Sequence, residues 1–189
     1  PGKEFLAKTI FIAGGVGSFQ PRKLHLEGAD DLEGRFIHYS VQDPALFKGK
    51  RLAILGGGDS ALDWALALGP DAAALTLIHR RDDYRAAPAS VAQLKSRAAS
   101  GAVEIIESAS ATALRRNGDR LTGIELSLKD GSPRTVEADH VLVFFGLSPK
   151  LGPIAEWGLT LHKKAITVDT EAFQTNVPGI FAIGDICDY

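Results

Sequence analysis

Short runs of β-branched and apolar residues alternate along this chain with stretches of helical periodicity, the pattern of an α/β fold with a parallel sheet. Residues 9–12 predict a strand running into Gly14-Gly15. Residues 52–55 are apolar without a break, as a strand buried on both faces requires, and residues 75–78 predict the next strand. Between them, residues 60–68 carry Ala and Leu at helical spacing and stop at Gly69-Pro70. Pro88 opens a second predicted helix, with Gly101 where its C-terminal cap would fall. Residues 103–106 predict a strand, and residues 111–128 a β-hairpin about Asn117-Gly118, a dipeptide suited to tight hairpin turns. Residues 136–145 predict one strand ending at Gly146; 166–168 and 180–183 predict two more. Residues 18–36 hold Pro21, Gly28, Gly34 and a cluster of acidic side chains, and read as a connector. The strand-then-glycine pattern of 10–14 returns at 141–146 and brackets a βαβ block. A chain that leaves one domain, builds another and comes back has this layout.

Composition narrows the class. The 189 residues are 45% hydrophobic and 23% charged, ordinary for a globular protein with a real core. A net charge of −2, from 21 basic and 23 acidic residues, lacks the basic footprint of a nucleic-acid binder. No apolar run approaches the ~18–20 residues of a membrane span, and no secretory leader pattern opens the chain. Cys187 stands alone, so no internal disulfide, C-x-x-C pair or thiolate metal site is expected. A reduced, cytoplasmic protein is expected. The absence of methionine and the ending at Asp188-Tyr189, just after an apolar strand pattern, are expected of a segment of a longer enzyme.

The chemistry concentrates at Gly56-Gly57-Gly58-Asp59-Ser60-Ala61, a G-x-G-x-x-A pattern placed directly between a predicted strand and a predicted helix. Gly56 would make the tight turn, Gly58 would let the backbone approach a pyrophosphate, and Ala61 would keep helix and strand close. First-turn N–H groups and the helix dipole would then hold the phosphates. A plain tight turn is the bland alternative; the strand–turn–helix context favours dinucleotide binding. Gly15-Val16-Gly17 also follows a strand, but Pro21 bars the helix and Gln20 stands where a small residue belongs. Gly58-Asp59-Ser60-Ala61-Leu62 is similar to the nucleophile segment of small serine esterases. The Asp-x-x-His block that would supply base and acid is absent, so Ser60 reads as a helix first-turn residue.

An NAD site would place an acidic residue at the end of the second strand, about 20 residues past the glycines. This chain has His79-Arg80-Arg81 there, with Arg85 four residues on. Guanidinium groups bind phosphate oxygens in pairs, so the cofactor read from these residues is NADP(H). A solvated charge run with Asp82 and Asp83 as local partners is the alternative, weightiest for Arg85.

With both signals placed, the sequence resembles the two-dinucleotide flavoprotein reductases of the thioredoxin-reductase type. Gly56 to Ala61 and His79, Arg80, Arg81 and Arg85 look like their NADPH domain. Thr175-Asn176-Val177-Pro178-Gly179-Ile180-Phe181-Ala182-Ile183-Gly184-Asp185 looks like their C-terminal FAD motif, where the aspartate at the Asp185 position bonds the ribityl chain. Thioredoxin reductases carry a C-x-x-C pair at the positions of Tyr39-Ser40-Val41-Gln42, so the resemblance excludes that activity. Gly17 to Arg22, Tyr39 to Pro44 and Phe144 to Ile154 look instead like the thioredoxin-reductase-type ferredoxin–NADP reductases, in which the phenylalanine at the Phe19 position contacts FAD. Gly146 completes the set of candidate cofactor-binding positions.

The resemblance implies a Rossmann-like NADP(H)-binding domain at 37–146, with a parallel sheet and a β-hairpin or meander. Residues 1–36 and 147–189 would be partial strands of an FAD-binding domain, and the chain the middle of such a reductase. It implies hydride transfer between NADPH and FAD, electrons passed to ferredoxin or flavodoxin, and a homodimer for the full-length protein. No side chain is expected to act as acid, base or nucleophile, since the cofactors carry the chemistry. Two alternatives stay open: a dithiol-free flavoprotein reductase of a small disulfide or quinone, and a non-catalytic NADP(H)-sensing module. Within the chain alone, the flanking strands at 9–12 and 180–183 are left to pair with each other, to pair with another copy, or to stay mobile.

Overall fold

The computed structural model describes residues 2–15, 20–148 and 151–188. The chain divides into a unit of residues 21–146 and a unit made of residues 1–20 and 147–189.

The larger unit is built on a five-stranded parallel sheet in the spatial order Ile37–His38, His140–Val143, Arg51–Leu55, Ala74–Ile78, Glu104–Ile106. Side chains alternate across a strand, so each continuous apolar run serves two cores at once. Leu52, Ile54, Leu77 and Leu142 face a layer of helices, where Ala61, Leu62, Ala65 and Leu68 form the buried stripe of the Asp59–Leu68 helix. The Pro88–Ala99 helix adds Leu94 to this layer. Ala53, Leu55, Val141 and Val143 face the opposite way, into a core shared with Leu121, Ile124, Leu126 and Val136. Those four belong to a three-stranded antiparallel meander, Ser110–Asn117, Arg120–Ser127 and Pro133–Glu137. Asn117 pairs with Arg120 across the first hairpin, and Gly118 lies in its turn with φ 58°.

Two expectations are corrected. Residues 136–145 are not one strand: Pro133–Glu137 ends the meander, and His140–Val143 starts afresh in the parallel sheet. The corner between them is latched by Arg51, whose guanidinium binds Asp139 (2.8 Å) and Glu137 (2.6 Å) while its N–H donates to Asp139 Oδ2. Arg51 holds the Asp139 carboxyl down to about 2. Residues 18–36, read as a connector, include the helical turn Ala29–Leu32, and Leu24, Ala29 and Leu32 are buried in the meander-side core.

The two edge-side strands of the sheet are also joined through a buried histidine pair. His38 Nε2 lies 3.1 Å from His140 Nδ1, one ring donating to the other, and Phe47 meets both rings edge-on. Burial, aided by the neighbouring His140, lowers His38 to about 4, and burial also lowers His140.

In the smaller unit, Ile10–Ile12 pairs in parallel with Ile180–Ala182, and Phe11 stacks on Phe181 at 5.1 Å. Of the three outcomes left open for these flanks, the structure shows them paired with each other. A second sheet joins Leu161–His162, Ala165–Thr167 and Cys187–Asp188, over a core that includes Ile12, Ile166, Ala182 and Ile186.

Candidate functional site

Three strands of the parallel sheet end side by side, and their C-terminal ends deliver Gly56, His79 and Glu107 to one edge. This is the edge at which open parallel sheets bind ligands.

The three glycines of the turn have different reasons. Gly56 has φ 152°, and a Cβ there would stand 2.6 Å from the Phe144 carbonyl oxygen and 2.9 Å from the Ala61 Cβ. Backbone conformation and close helix–strand packing therefore both require it, and fully buried Ala61 is the small residue that permits the approach. At Gly57 a Cβ would fall 2.3–2.5 Å from the His79 ring, so the imidazole occupies that space. Gly58 is unlike both. It has φ −102° and ψ 178°, an extended backbone open to any residue, and a Cβ would meet only the Arg85 carbonyl oxygen at 3.7 Å. Nothing in the described protein needs a glycine there. A phosphate approaching the turn would.

Gly58 also leads into the Asp59–Leu68 helix; the Ala61 N–H already donates to the Gly58 carbonyl at 3.0 Å, and the Asp59 and Ser60 N–H groups precede the intrahelical ladder. Ser60 is exposed in that turn. Asp59 has one carboxylate oxygen engaged at 2.8 Å by the Ala87 N–H, just before the Pro88–Ala99 helix.

The segment from His79 to Ala87 is tied to this turn. The Arg85 N–H donates to the Gly57 carbonyl at 2.8 Å. His79 Nε2 lies 2.8 Å from the Asp83 carbonyl, which makes that nitrogen the protonated one, and the ring stacks on Tyr84 at 5.3 Å. Arg80, Arg81 and Arg85 are exposed, and among the described residues none of them forms an ion pair. Asp82 and Asp83 thus do not neutralise them. The structure brings together Gly56 to Ala61 with His79 and Arg85, and places Arg80 and Arg81 on the same anchored segment.

Gly146, with φ 87°, accepts a hydrogen bond at 3.0 Å from the Arg22 N–H. In the smaller unit, Gly184 has φ 81° and accepts from the Cys187 N–H in a turn that leaves Asp185 exposed. Phe19 lies outside the described residues.

Sequence reasoning missed Tyr84 and Glu107. The Tyr84 hydroxyl donates to Glu107 Oε1 at 2.8 Å, and burial with the Glu107 contact raises the phenol above its usual range. An acidic residue directly after the predicted strand at 103–106 was the available signal, because that position lies on the ligand edge. The esterase pattern finds no support. His38 and His140 bond each other, His79 bonds the Asp83 carbonyl and His162 pairs with Asp188, so none of these serves Ser60. Among the described residues no cluster of three His, Cys, Asp or Glu could hold a metal, and no helix is long and apolar enough to cross a membrane.

A family model described as pyridine nucleotide-disulphide oxidoreductase matches residues 1–189. A ferredoxin–NADP reductase 2 from Cupriavidus pinatubonensis is 54% identical over 188 residues, covering 100% of this chain and 51% of the relative. A ferredoxin–NADP reductase from Methylibium petroleiphilum is 52% identical over 192 residues, covering 100% and 52%. The chain thus spans about half the length of the curated relatives it matches. Among solved structures, the thioredoxin reductase of Lactococcus lactis superposes with TM-score 0.84 at 27% identity, covering 99% of this chain and 60% of that one. The T. acidophilum thioredoxin reductase gives 0.83 at 28% identity, covering 96% and 58%. A parallel α/β sheet with a dinucleotide-type glycine turn and a match along its whole length place this chain in the pyridine nucleotide-disulphide oxidoreductase family.

Proposed function

We propose that this chain is the NADP(H)-binding portion of an FAD-dependent reductase that moves hydride between C4 of the nicotinamide and N5 of the flavin. Bound FAD would supply the exchange between two-electron and one-electron transfer, and ferredoxin or flavodoxin would be the acceptor. In this reading residues 37–146 bind NADP(H), residues 1–36 hold a partial FAD-binding segment and the connector that follows it, and 147–189 return to the FAD-binding part, with Phe19, Gly184 and Asp185 toward the flavin. The full-length protein is a cytoplasmic homodimer.

The observation that carries the cofactor assignment is the pairing of Gly58 with the arginine segment. Among the described residues, the turn has room at Gly58 that no atom requires, and it is bridged to a segment bearing Arg80, Arg81 and Arg85 without ion-pair partners. Gly58 to Ala61 at the helix N-terminus would hold the diphosphate, and Arg80 and Arg81 would bind the 2′-phosphate. The acceptor assignment is supported by the names of the relatives and by the missing dithiol at Tyr39 to Gln42.

Arg81→Ala tests the reading. Charge-assisted bonds contribute about 1.5–3 kcal/mol each, so NADPH binding weakens roughly 10- to 100-fold. NADH binding barely changes, and titration calorimetry reads both. Equal losses for the two cofactors would refute the assignment.

A further inference from the structure

The segment from Arg80 to Tyr84 has no regular structure, so its shape depends on identifiable anchors. Its start is held by the backbone: the His79 N–H donates to Ile106, the Ala109 N–H to the His79 carbonyl, and the Ser108 N–H to the Arg81 carbonyl. Its end is held where Arg85 and Ala87 bond the glycine turn and Asp59. Between those points the hold comes from side chains. His79 bonds the Asp83 carbonyl and stacks on Tyr84, and the Tyr84 hydroxyl reaches Glu107 across to the neighbouring strand end. Lys95 Nζ lies 5.9 Å from the Tyr84 ring centre, on the face of the Pro88–Ala99 helix.

Resting on the NADP(H) reading above, we propose that Tyr84 and Glu107 are positioning residues for cofactor selectivity, their hydrogen bond fixing the segment that presents Arg80 and Arg81 to the 2′-phosphate. The physical argument is preorganisation. Two exposed arginines without ion-pair partners among the described residues act on a phosphate in proportion to how well their backbone is already placed. Untethering Tyr84 leaves every group that touches the cofactor intact, yet frees residues 82–84, so Arg81 keeps its Ser108 bond on one side and loses its support on the other. The cost of ordering them at binding falls on the 2′-phosphate contacts and spares the diphosphate contacts at Gly58, so it separates NADPH from NADH.

Calorimetric titration of NADPH and NADH against the chain and four variants tests this. Tyr84→Phe keeps the ring on His79 and removes only the hydroxyl, while Glu107→Leu removes the acceptor. Each is expected to weaken NADPH about 3- to 10-fold and to move NADH by less than about twofold. The double variant is expected to bind NADPH no worse than either single one. Glu107→Gln, whose carbonyl still accepts from the hydroxyl, is expected to bind as the unsubstituted chain does. Unchanged NADPH affinity in Tyr84→Phe, equal losses for both cofactors, or additive losses in the double variant would overturn the proposal. An unsubstituted chain that fails to distinguish NADPH from NADH would overturn the cofactor reading along with it. Discrimination that persists undiminished in Tyr84→Phe would overturn the positioning role alone.

Discussion

At the residue scale, three consecutive glycines have different surroundings, and substitutions separate them. Gly57→Ala drives a methyl into the His79 imidazole, so it is expected to lower stability by about 1–3 kcal/mol in a chemical denaturation curve. Gly58→Val meets an extended backbone and open space, so the fold is expected to hold within about 1 kcal/mol. Its side chain would nevertheless stand where the proposed function puts the diphosphate, and NADPH affinity is expected to fall by at least about tenfold. Unchanged affinity in a folded Gly58→Val would show that the turn is only structural. The roles of Gly56 and Ala61 were legible in the sequence because strand, turn and helix each left their own signal. The tie between Tyr84 and Glu107 was not, because a hydrogen bond between residues 23 positions apart has no local pattern.

At the element scale, the parallel strands Arg51–Leu55 and Ala74–Ile78 were legible because both faces are buried and the apolar run is continuous. Hydrophobicity misled at 136–145, where Val136 and Val141 are both buried but belong to different sheets. Apolar pattern marks burial and does not record which sheet a residue joins; here the corner is set by the Arg51–Asp139 pair. The turn Ala29–Leu32 escaped notice because a four-residue helix is too short to show a period. The histidine pair that links Ile37–His38 to His140–Val143 predicts a specific acid response. The unfolded chain binds a proton at His38 near 6.5, the folded chain only near 4. Stability is therefore full above pH 6.5 and falls as the pH drops from 6.5 toward 4, by about 2–4 kcal/mol. Asp139, held at about 2, contributes only below that window. Urea midpoints measured across it should drop steeply in the unsubstituted chain and less in His38→Gln; parallel curves would contradict the assignment.

For the whole molecule, the proposed function puts NADP(H) and FAD on different units. Among the described residues, the Gly56 to Gly58 turn leads from a parallel strand directly into a ten-residue helix, and it is assigned to NADP(H). FAD also needs its diphosphate gripped by such a turn, and Asp185 with Phe19 would offer only a few contacts to a large ligand. The 189-residue chain is therefore expected to be colourless and to retain no FAD after equilibrium dialysis. Stoichiometric yellow protein would mean that the flavin site lies elsewhere than proposed. Family membership follows from the match along the entire chain, and it leaves the choice of dinucleotide to the residues. That choice is the central claim, and side-by-side titration of NADPH and NADH into the unsubstituted chain tests it most directly. NADPH is expected to bind at least about tenfold more tightly, from the charge-assisted contacts to one phosphate. Equal affinity for the two, or a preference for NADH, would contradict it.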